Sequence, residues 1–296
     1  MGFDARIPVP TTKGWLPAGM IQVGDEVFGQ NGRPVKVTLV QKYTPRKCFK
    51  VWMKDGLTLV VDGRAGIPAY SYIEFTSLRL WSTSRILPRK GTVTPKNAES
   101  IMRREAGRCR IPVCQPIRPI EAALPVDPYV FGQWIMEPRE RRRRMAQTTI
   151  SRELMERYAI VPNRIPEEYL FASFEQRLAL LRGILSKKPK CFNKTTTLFS
   201  LAVMDQTLAR QIQNLVESFG MRSSIVYNKH SFYFRVSFRS FMRLIEDQLP
   251  PNKPLDLEYR RIRRVEDARV RECVYLKTED PANAILVSEG FITLIP

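Results

Sequence analysis

Residues 23–37 read Val23-Gly24-Asp25-Glu26-Val27-Phe28-Gly29-Gln30-Asn31-Gly32-Arg33-Pro34-Val35-Lys36-Val37. Two turn signals, Gly24-Asp25 and Asn31-Gly32, separate short runs rich in valine, a pattern typical of neighbouring β-strands. The pattern extends outward over residues 1 to about 80, where Asp55-Gly56 is another turn signal. We therefore expect this region to be an all-β domain of many short strands.

Helical signals begin after a proline-rich stretch at residues 110–128. Asp127-Pro128 predicts a helix start, because aspartate caps free N–H groups and proline fits the first helical position. Ser173 and Gln176 have the spacing of a capping box, which predicts a second helix. A third helix is expected to end at Gly220, and a last one to cover residues 240–249.

Strand patterns return in the second half of the chain. Residues 223–226 and 232–238 predict a hairpin, since phenylalanines alternate with polar residues in the second run. Further candidate strands are residues 260–265, 272–276 and 284–295. The simplest arrangement is a mixed fold. One β domain, residues 1–116 with 250–296, would carry an inserted α/β domain at residues 117–249.

The 296 residues include 48 Lys plus Arg against 29 Asp plus Glu, a formal net charge of +19. This excess predicts attraction to polyanions, nucleic acid above all, although solubility or an acidic protein partner would also explain it. No apolar run approaches the roughly 18–20 residues of a membrane helix. The first residues lack a secretory signal, so we expect no membrane association and a cytoplasmic location.

The cysteines argue against a zinc site. They are widely spaced, without a Cys-x-x-Cys pair, and the sequence has one histidine to join them, His230. Free thiols in a reducing cytosol are the expected state. The five cysteines are Cys48, Cys109, Cys114, Cys191 and Cys273.

Several blocks of sequence, in their order and spacing, point to a family. They are residues 3–8 with 12–15, residues 23–28 with 31–37, residues 124–132, residues 165–170 leading to 176–185, and residues 272–274 with 290–292. Together they resemble an intein, a Hint-fold splicing element, that carries a LAGLIDADG homing endonuclease. Inteins of phage DNA-packaging (terminase) ATPases are the most similar. The resemblance implies a horseshoe-shaped, Hint-like β domain with a reduced LAGLIDADG-like α/β domain inserted in it.

The residues for splicing are missing at the positions that the resemblance assigns. Inteins begin with a thiol or hydroxyl nucleophile, and Gly2 stands there. Inteins also carry a histidine in the segment that matches residues 61–67, but these residues include no histidine. Inteins end in His-Asn, whereas this chain ends in Ile292-Thr293-Leu294-Ile295-Pro296. No host protein flanks the element in this sequence. We therefore expect a free-standing protein without splicing activity.

The nuclease positions are degenerate as well. In LAGLIDADG nucleases two helices pack through small residues, here Gly132 and Gly183, and each ends in a carboxylate that helps to hold a divalent metal. Glu137 and Lys188 stand at the carboxylate positions. A lysine there would repel Mg²⁺, so no catalytic residue and no cofactor are expected. Mg²⁺ would be needed only if nuclease activity persisted through Glu137. We interpret Glu137 instead as a surface carboxylate paired with arginines. The first half of this domain, about residues 127–172, is also shorter than the second.

Basic clusters follow both predicted helices and the hairpin, and another lies after the inserted domain, at Arg260, Arg261, Arg263 and Arg264. In the family the strands after these helices face DNA, so cations there would neutralise phosphates. The phenylalanines of the hairpin are expected in its core rather than as a base-stacking platform. The predicted nucleic-acid-binding residues are Arg139, Arg141, Arg142, Arg143, Arg144, Lys187, Lys188, Lys190, Lys194, Arg235 and Arg239.

These observations lead to a first hypothesis and two alternatives. The first is a catalytically inactive protein of phage or prophage origin, derived from an intein and its homing endonuclease, that binds DNA through basic faces in the host cytoplasm. An alternative is a structural or protein-interaction module of a virion or packaging complex, with a phage packaging, replication or virion protein as partner. Another is a residual metal-dependent DNA endonuclease or nickase.

Overall fold

The computed structural model describes residues 2–68, 95–97, 110–137, 164–186, 197–245 and 259–296. The chain divides into two compact units. Unit 1 is formed by residues Met1–Gln115 and Leu257–Pro296, and unit 2 by residues Pro116–Asp256. Each unit is described separately below.

Unit 1 consists of antiparallel β-strands, which confirms the β-rich prediction for its described residues. They are β1 (Phe3–Asp4), β2 (Pro8–Thr11), β3 (Gly14–Pro17), β4 (Glu26–Phe28), β5 (Pro34–Tyr43), β6 (Cys48–Met53), β7 (Thr58–Asp62), β8 (Gly66–Pro68), β9 (Pro95–Asn97), β10 (Arg110–Pro112), β14 (Tyr259–Ala268), β15 (Cys273–Thr278), β16 (Ile285–Val287) and β17 (Ile292–Leu294), with a 3-10 turn at Ala18–Met20. The described strands of its main sheet follow the order β10-β14-β6-β7-β1-β15-β5-β4-β2-β3. β8 pairs with β9, and β16 with β17.

The predicted turns and the alternation of side chains explain this sheet. Gly24, Gly32 and Gly56 have φ angles of 95°, 72° and 91°, a left-handed region that glycine adopts without steric cost. Alternate residues of the strands, such as Phe3 and Val51, point into one buried core. Both halves of the chain contribute to that core.

The last predicted strand of unit 1 is wrong in one respect. Residues 284–295 form two short strands, β16 and β17, rather than one. Between them Ser288 and Phe291 have φ angles of 64° and 49°, which extended strands do not contain. The chain turns there and pairs the two strands with each other.

Unit 2 packs helices against a small antiparallel sheet. Its described elements are α1 (Pro128–Ile135), α2 (Glu167–Leu170), α3 (Phe174–Ser186), β11 (Leu198–Val203), α4 (Gln206–Glu217), β12 (Ser223–Asn228) and β13 (Tyr233–Arg239), with sheet order β11-β13-β12. Asp127 caps α1 by accepting the Val130 N–H at 3.0 Å. Ser173 and Gln176 form the predicted capping box at α3. Gly220, after α4, has a φ of 74°, as its predicted role requires.

Two predictions in unit 2 are wrong in the described residues. Residues 240–245 are not helical, because the Ser240 hydroxyl accepts the Met242 N–H and donates to the Met242 carbonyl. These bonds favour a turn over a helix. Phe232 lies before β13 with a φ of 50° and is 69% exposed, so it belongs to the hairpin turn.

Among the described residues, no helix has the length and apolar character needed to cross a membrane.

Candidate functional site

Gly2 occupies a position that has no space for a side chain. Its carbonyl accepts a hydrogen bond of 2.9 Å from the Asp62 N–H. A Cβ atom built on Gly2 would lie 2.4 Å from the Val274 carbonyl oxygen, well inside van der Waals contact. The sequence has no cysteine or serine at this position, and this backbone also leaves no space for the side chain of either residue.

The segment that lacks the expected histidine contacts both other splicing positions. Asp62, at its beginning, hydrogen-bonds Gly2. Gly66, near its end, exchanges two hydrogen bonds of 2.9 Å with Ile295, next to the buried Pro296. The structure therefore brings the three positions named in the sequence analysis to one segment of unit 1. The side chains of Gly2, residues 61–67, Ile295 and Pro296 supply no thiol, hydroxyl, imidazole or carboxamide group.

A polar group that the sequence did not reveal lies at the end of the same sheet. The Tyr43 hydroxyl donates a hydrogen bond of 2.7 Å to the Asp62 carboxylate. Cys48 is opposite Asp62 in the strand register, and Cys273 is opposite Tyr43. Cys48 and Cys273 share a small buried cluster with Val60. We call Tyr43, Asp62, Cys48 and Cys273 the sheet-end cluster.

The sheet-end cluster is a poor source of nucleophiles. Burial, and then the proximity of Cys48 and of carboxylates, raises the pKa of Cys273 far above neutrality. Burial and the hydrogen bond to Asp62 likewise raise the pKa of Tyr43. Both groups stay protonated at neutral pH, and a protonated thiol is a weak nucleophile.

The prediction of free cysteines is confirmed for Cys48, Cys114 and Cys273, which are buried and form no disulfide. Cys109 and Cys191 lie outside the described residues. Within the described ranges, no group of three or more His, Cys, Asp or Glu side chains is placed to hold a metal ion.

In unit 2 the two predicted glycines lie where α1 and α3 cross. A Cβ on Gly132 would be 2.4 Å from the Leu180 carbonyl oxygen, and one on Gly183 would be 2.1 Å from the Tyr129 carbonyl oxygen. Only glycine permits such a close approach of two backbones. The two glycines therefore permit the close contact between α1 and α3.

One of the two nuclease positions, Glu137, lies just beyond this crossing. Glu137 follows α1 and is 7% exposed, so the interpretation of a surface carboxylate is wrong. The Glu137 N–H donates a hydrogen bond of 3.1 Å to the Trp134 carbonyl, so a turn continues from the end of α1. The last residue of α3, Ser186, accepts a hydrogen bond of 3.1 Å from Gln133 across the crossing. Lys188 lies outside the described residues.

Two predicted nucleic-acid-binding residues share one face of the three-stranded sheet. Arg235 and Arg239 are both exposed, while Val236 and Phe238 between them are buried on the opposite face. Strand register adds other side chains to the exposed side. We call this surface the open sheet face; its members are Leu198, Ala202, Ser224, Val226, Arg235, Ser237 and Arg239, and Ser200 on the same side is buried.

The open sheet face is basic and also exposes the apolar Val226, while phenylalanines of the opposite face belong to the core. Phe238 stacks on Phe199 with ring centroids 5.4 Å apart, which confirms the core role predicted for Phe238. The Arg235 guanidinium donates to the Tyr233 hydroxyl at 2.8 Å. The other predicted nucleic-acid-binding residues lie outside the described ranges; they are Arg139, Arg141, Arg142, Arg143, Arg144, Lys187, Lys188, Lys190 and Lys194.

The chain is similar to two curated helicases, and no family model matches it. It is 26% identical to the replicative DNA helicase DnaB of Mycobacterium intracellulare over 247 residues, which are 73% of this chain and 42% of that protein. It is 32% identical to the DnaB helicase of Mycobacterium leprae (strain TN) over 92 residues, 31% of this chain and 15% of that protein. The chain spans less than half the length of either relative.

Similar solved structures are inteins. The MchDnaB-1 intein is 11% identical with a TM-score of 0.40, covering 99% of both chains. The Msm DnaB1 intein splicing domain bound with zinc is 10% identical with a TM-score of 0.36, covering 98% of this chain and 97% of that one. The gp41-1 intein is 9% identical with a TM-score of 0.35, covering 99% and 95%. The chain resembles inteins, as the sequence motifs predicted; the likeness to inteins of phage packaging ATPases stays a prediction.

Proposed function

We propose that this chain is a catalytically inactive relative of an intein and its homing endonuclease, of phage or prophage origin, that binds DNA. In this proposal unit 1 corresponds to a Hint-like splicing domain and unit 2 to a reduced LAGLIDADG-like domain. The similarity to DnaB helicases is then a similarity to an intein within those longer proteins. That assignment agrees with the names of the solved structures, two of which are DnaB inteins.

The observation that carries the loss of splicing is the geometry at Gly2. Acyl transfer needs a side-chain nucleophile beside the scissile peptide. Gly2 has none, and the Val274 carbonyl occupies the space where one would begin. Restoring cysteine by mutation would therefore require movement of β15 as well.

The open sheet face supports DNA binding. Arg235 and Arg239 are four residues apart on β13, so their backbone positions are separated by about 13 Å at roughly 3.3 Å per residue. That length is close to four base-pair rises of a duplex, each about 3.4 Å. The half-buried Ser224 and Ser237 lie beside them, and their hydroxyls would have to leave long hydrogen bonds of 3.4–3.5 Å within the sheet to donate to a phosphate. Such a surface would bind the backbone without reading sequence.

Binding to a random-sequence DNA duplex of about 30 base pairs tests this proposal. Fluorescence anisotropy should give an affinity that falls steeply between 50 and 200 mM salt, on the scale that several phosphate contacts produce. Arg235→Gln with Arg239→Gln should reduce the log–log salt slope by about 2, one unit for each lost contact. The matched control is Arg164→Gln with Arg182→Gln, which removes two exposed cations elsewhere in unit 2.

Two results would contradict the proposal. An equal loss in the control would mean that net charge rather than the open sheet face binds DNA. Mg²⁺-dependent nicking of plasmid DNA that Glu137→Ala abolishes would establish a residual nuclease, since Glu137 is the carboxylate at the end of α1. Intact mass measured over days would reveal any self-cleavage.

A further inference from the structure

We infer that unit 1 carries a second binding surface, for the phosphodiester backbone of nucleic acid, on the outer face of β10, β14 and β6. It consists of Arg110, Arg261, Arg264 and Lys50 around Trp52, and we call it the cationic strip. This goes beyond the proposed function, because the strip belongs to the unit that corresponds to the splicing domain. It does not depend on the open sheet face of unit 2.

Strand register places these side chains together. Arg110 is opposite Arg261 where β10 pairs with β14. Arg264 is opposite Trp52 where β14 pairs with β6, and Lys50 precedes Trp52 by two residues on the same face. The alternate positions Ile111, Ile262, Val51 and Val265 are buried in the core. The cations therefore share the side of the sheet that faces away from that core.

The cations at the centre of the strip are held in place. The Lys50 ammonium lies 4.0 Å from the centroid of the Trp52 ring, and the Arg264 guanidinium carbon 4.8 Å from it. The indole N–H donates a hydrogen bond of 2.6 Å to Glu266, whose other oxygen is 3.5 Å from Arg264. Cation–π contacts fix both charges. Because these side chains are already ordered, less of their conformational entropy is lost when a ligand binds.

The charge balance of the strip favours an anionic ligand. Arg110 and Arg261 are directly opposite one another where β10 pairs with β14, so the strip brings positive charges close together. Arg263, at the register shift in β14, is exposed beside them. Glu266 lies opposite Lys50 in the strand register and is engaged with Trp52 and Arg264. A phosphate placed between the exposed Arg261 and Arg263 would neutralise part of this positive charge.

A nucleic-acid backbone fits the strip better than a stack of bases or an acidic peptide. Trp52 is half-buried and its ring contacts two cations, so little of it is free for base stacking. The three strands are neighbours about 4.8 Å apart, so the strip extends across roughly 10 Å. A row of cations on that scale matches a repeating line of phosphates, which adds affinity but no sequence information.

The test uses the full chain and the same random-sequence duplex. Arg261→Gln with Arg264→Gln should reduce the log–log salt slope by about 2 and weaken binding at 100 mM salt about tenfold or more. Lys42→Gln with Lys277→Gln is the matched control, since both lysines are exposed in unit 1 on β5 and β15. Circular dichroism melting checks folding. If the first pair destabilises the chain, Lys50→Gln with Arg110→Gln takes its place.

Trp52 provides a second and more local measurement. Addition of the duplex should change the intrinsic fluorescence, and Trp52→Phe should remove most of that change. Slope and affinity equal to those of the control pair would overturn the inference, as would poly-glutamate binding that the strip variants weaken as strongly as DNA binding. The two proposals can fail separately. If the Arg235 and Arg239 variant lost DNA binding while the strip variant kept it in full, the proposed function would be supported and this inference would be refuted.

Discussion

Asp4 holds the first strand in place. Its carboxylate accepts hydrogen bonds from the Arg6 backbone and side chain at 3.0 to 3.2 Å, and from Arg271 at 2.9 Å. Burial alone would raise the pKa of Asp4, but the bonds from Arg6 and Arg271 outweigh it and lower the pKa below its usual range. One acid thereby links β1 to the connection between β14 and β15.

The lowered pKa of Asp4 predicts a pH-dependent part of the stability. Because the folded pKa lies below the unfolded one, this contribution is complete above about pH 4 and is lost as the pH falls through the folded pKa. Asp4→Asn should cost about 2 kcal/mol at pH 7, and this cost should shrink as the pH falls below about 4 towards the folded pKa. Urea unfolding of both proteins at pH 7, 4.5 and 3 measures this. A difference that does not change with pH would contradict it.

The crossing of α1 and α3 depends on two backbones in contact, so an added methyl group should be costly there. In an exposed helix Gly→Ala is stabilising by up to about 1 kcal/mol. For Gly183→Ala we expect the reverse, a loss of about 1–3 kcal/mol, because the new Cβ would overlap the Tyr129 carbonyl. Urea unfolding measures the change. Glu175→Ala on the exposed side of α3 is the control, and a stabilised Gly183→Ala would refute the close approach.

Elements with a local chemical signal could be predicted from the sequence. The Asp127 cap, the capping box of Ser173 and Gln176, and the turn at Gly220 all depend on bonds within a few residues. The glycine turns between β-strands have the same local origin. The resemblance to inteins identified Gly2, Gly132 and Gly183 as positions of interest. The structure then showed which backbone atoms lie against each of them.

Features that depend on distant partners could not be predicted. The division of residues 284–295 into two strands follows from their pairing with each other, and periodicity alone does not reveal that turn. Tyr43 and Asp62 are 19 residues apart and meet through their strands. Lys50, Trp52 and Arg264 come together because β6 pairs with β14 more than 200 residues later.

At the scale of the whole molecule, each unit contains its own buried charged group. In unit 1 the Arg260 side chain forms a buried ion pair with Asp55, with Nε and Oδ2 2.7 Å apart. In unit 2 Arg177 is fully buried and donates to the carbonyls of Ala172 and Ile117 at 2.9 and 2.6 Å, and to the Ser218 hydroxyl. Each group ties together segments that are distant in sequence within its own unit.

Two compact units with separate buried networks should unfold in two steps. Asp55→Ala leaves the Arg260 charge buried without its carboxylate, at a cost of about 3–5 kcal/mol, and should lower the midpoint of one calorimetric transition. Arg177→Met leaves buried carbonyls without their donors, at about 1–3 kcal/mol for each group, and should lower the midpoint of the other. Trp52 and Trp134 belong to different units, so Trp52→Phe and Trp134→Phe assign each transition by fluorescence. If both variants moved one shared transition equally, the units would form a single cooperative structure, and independent loss of function in either unit would no longer follow.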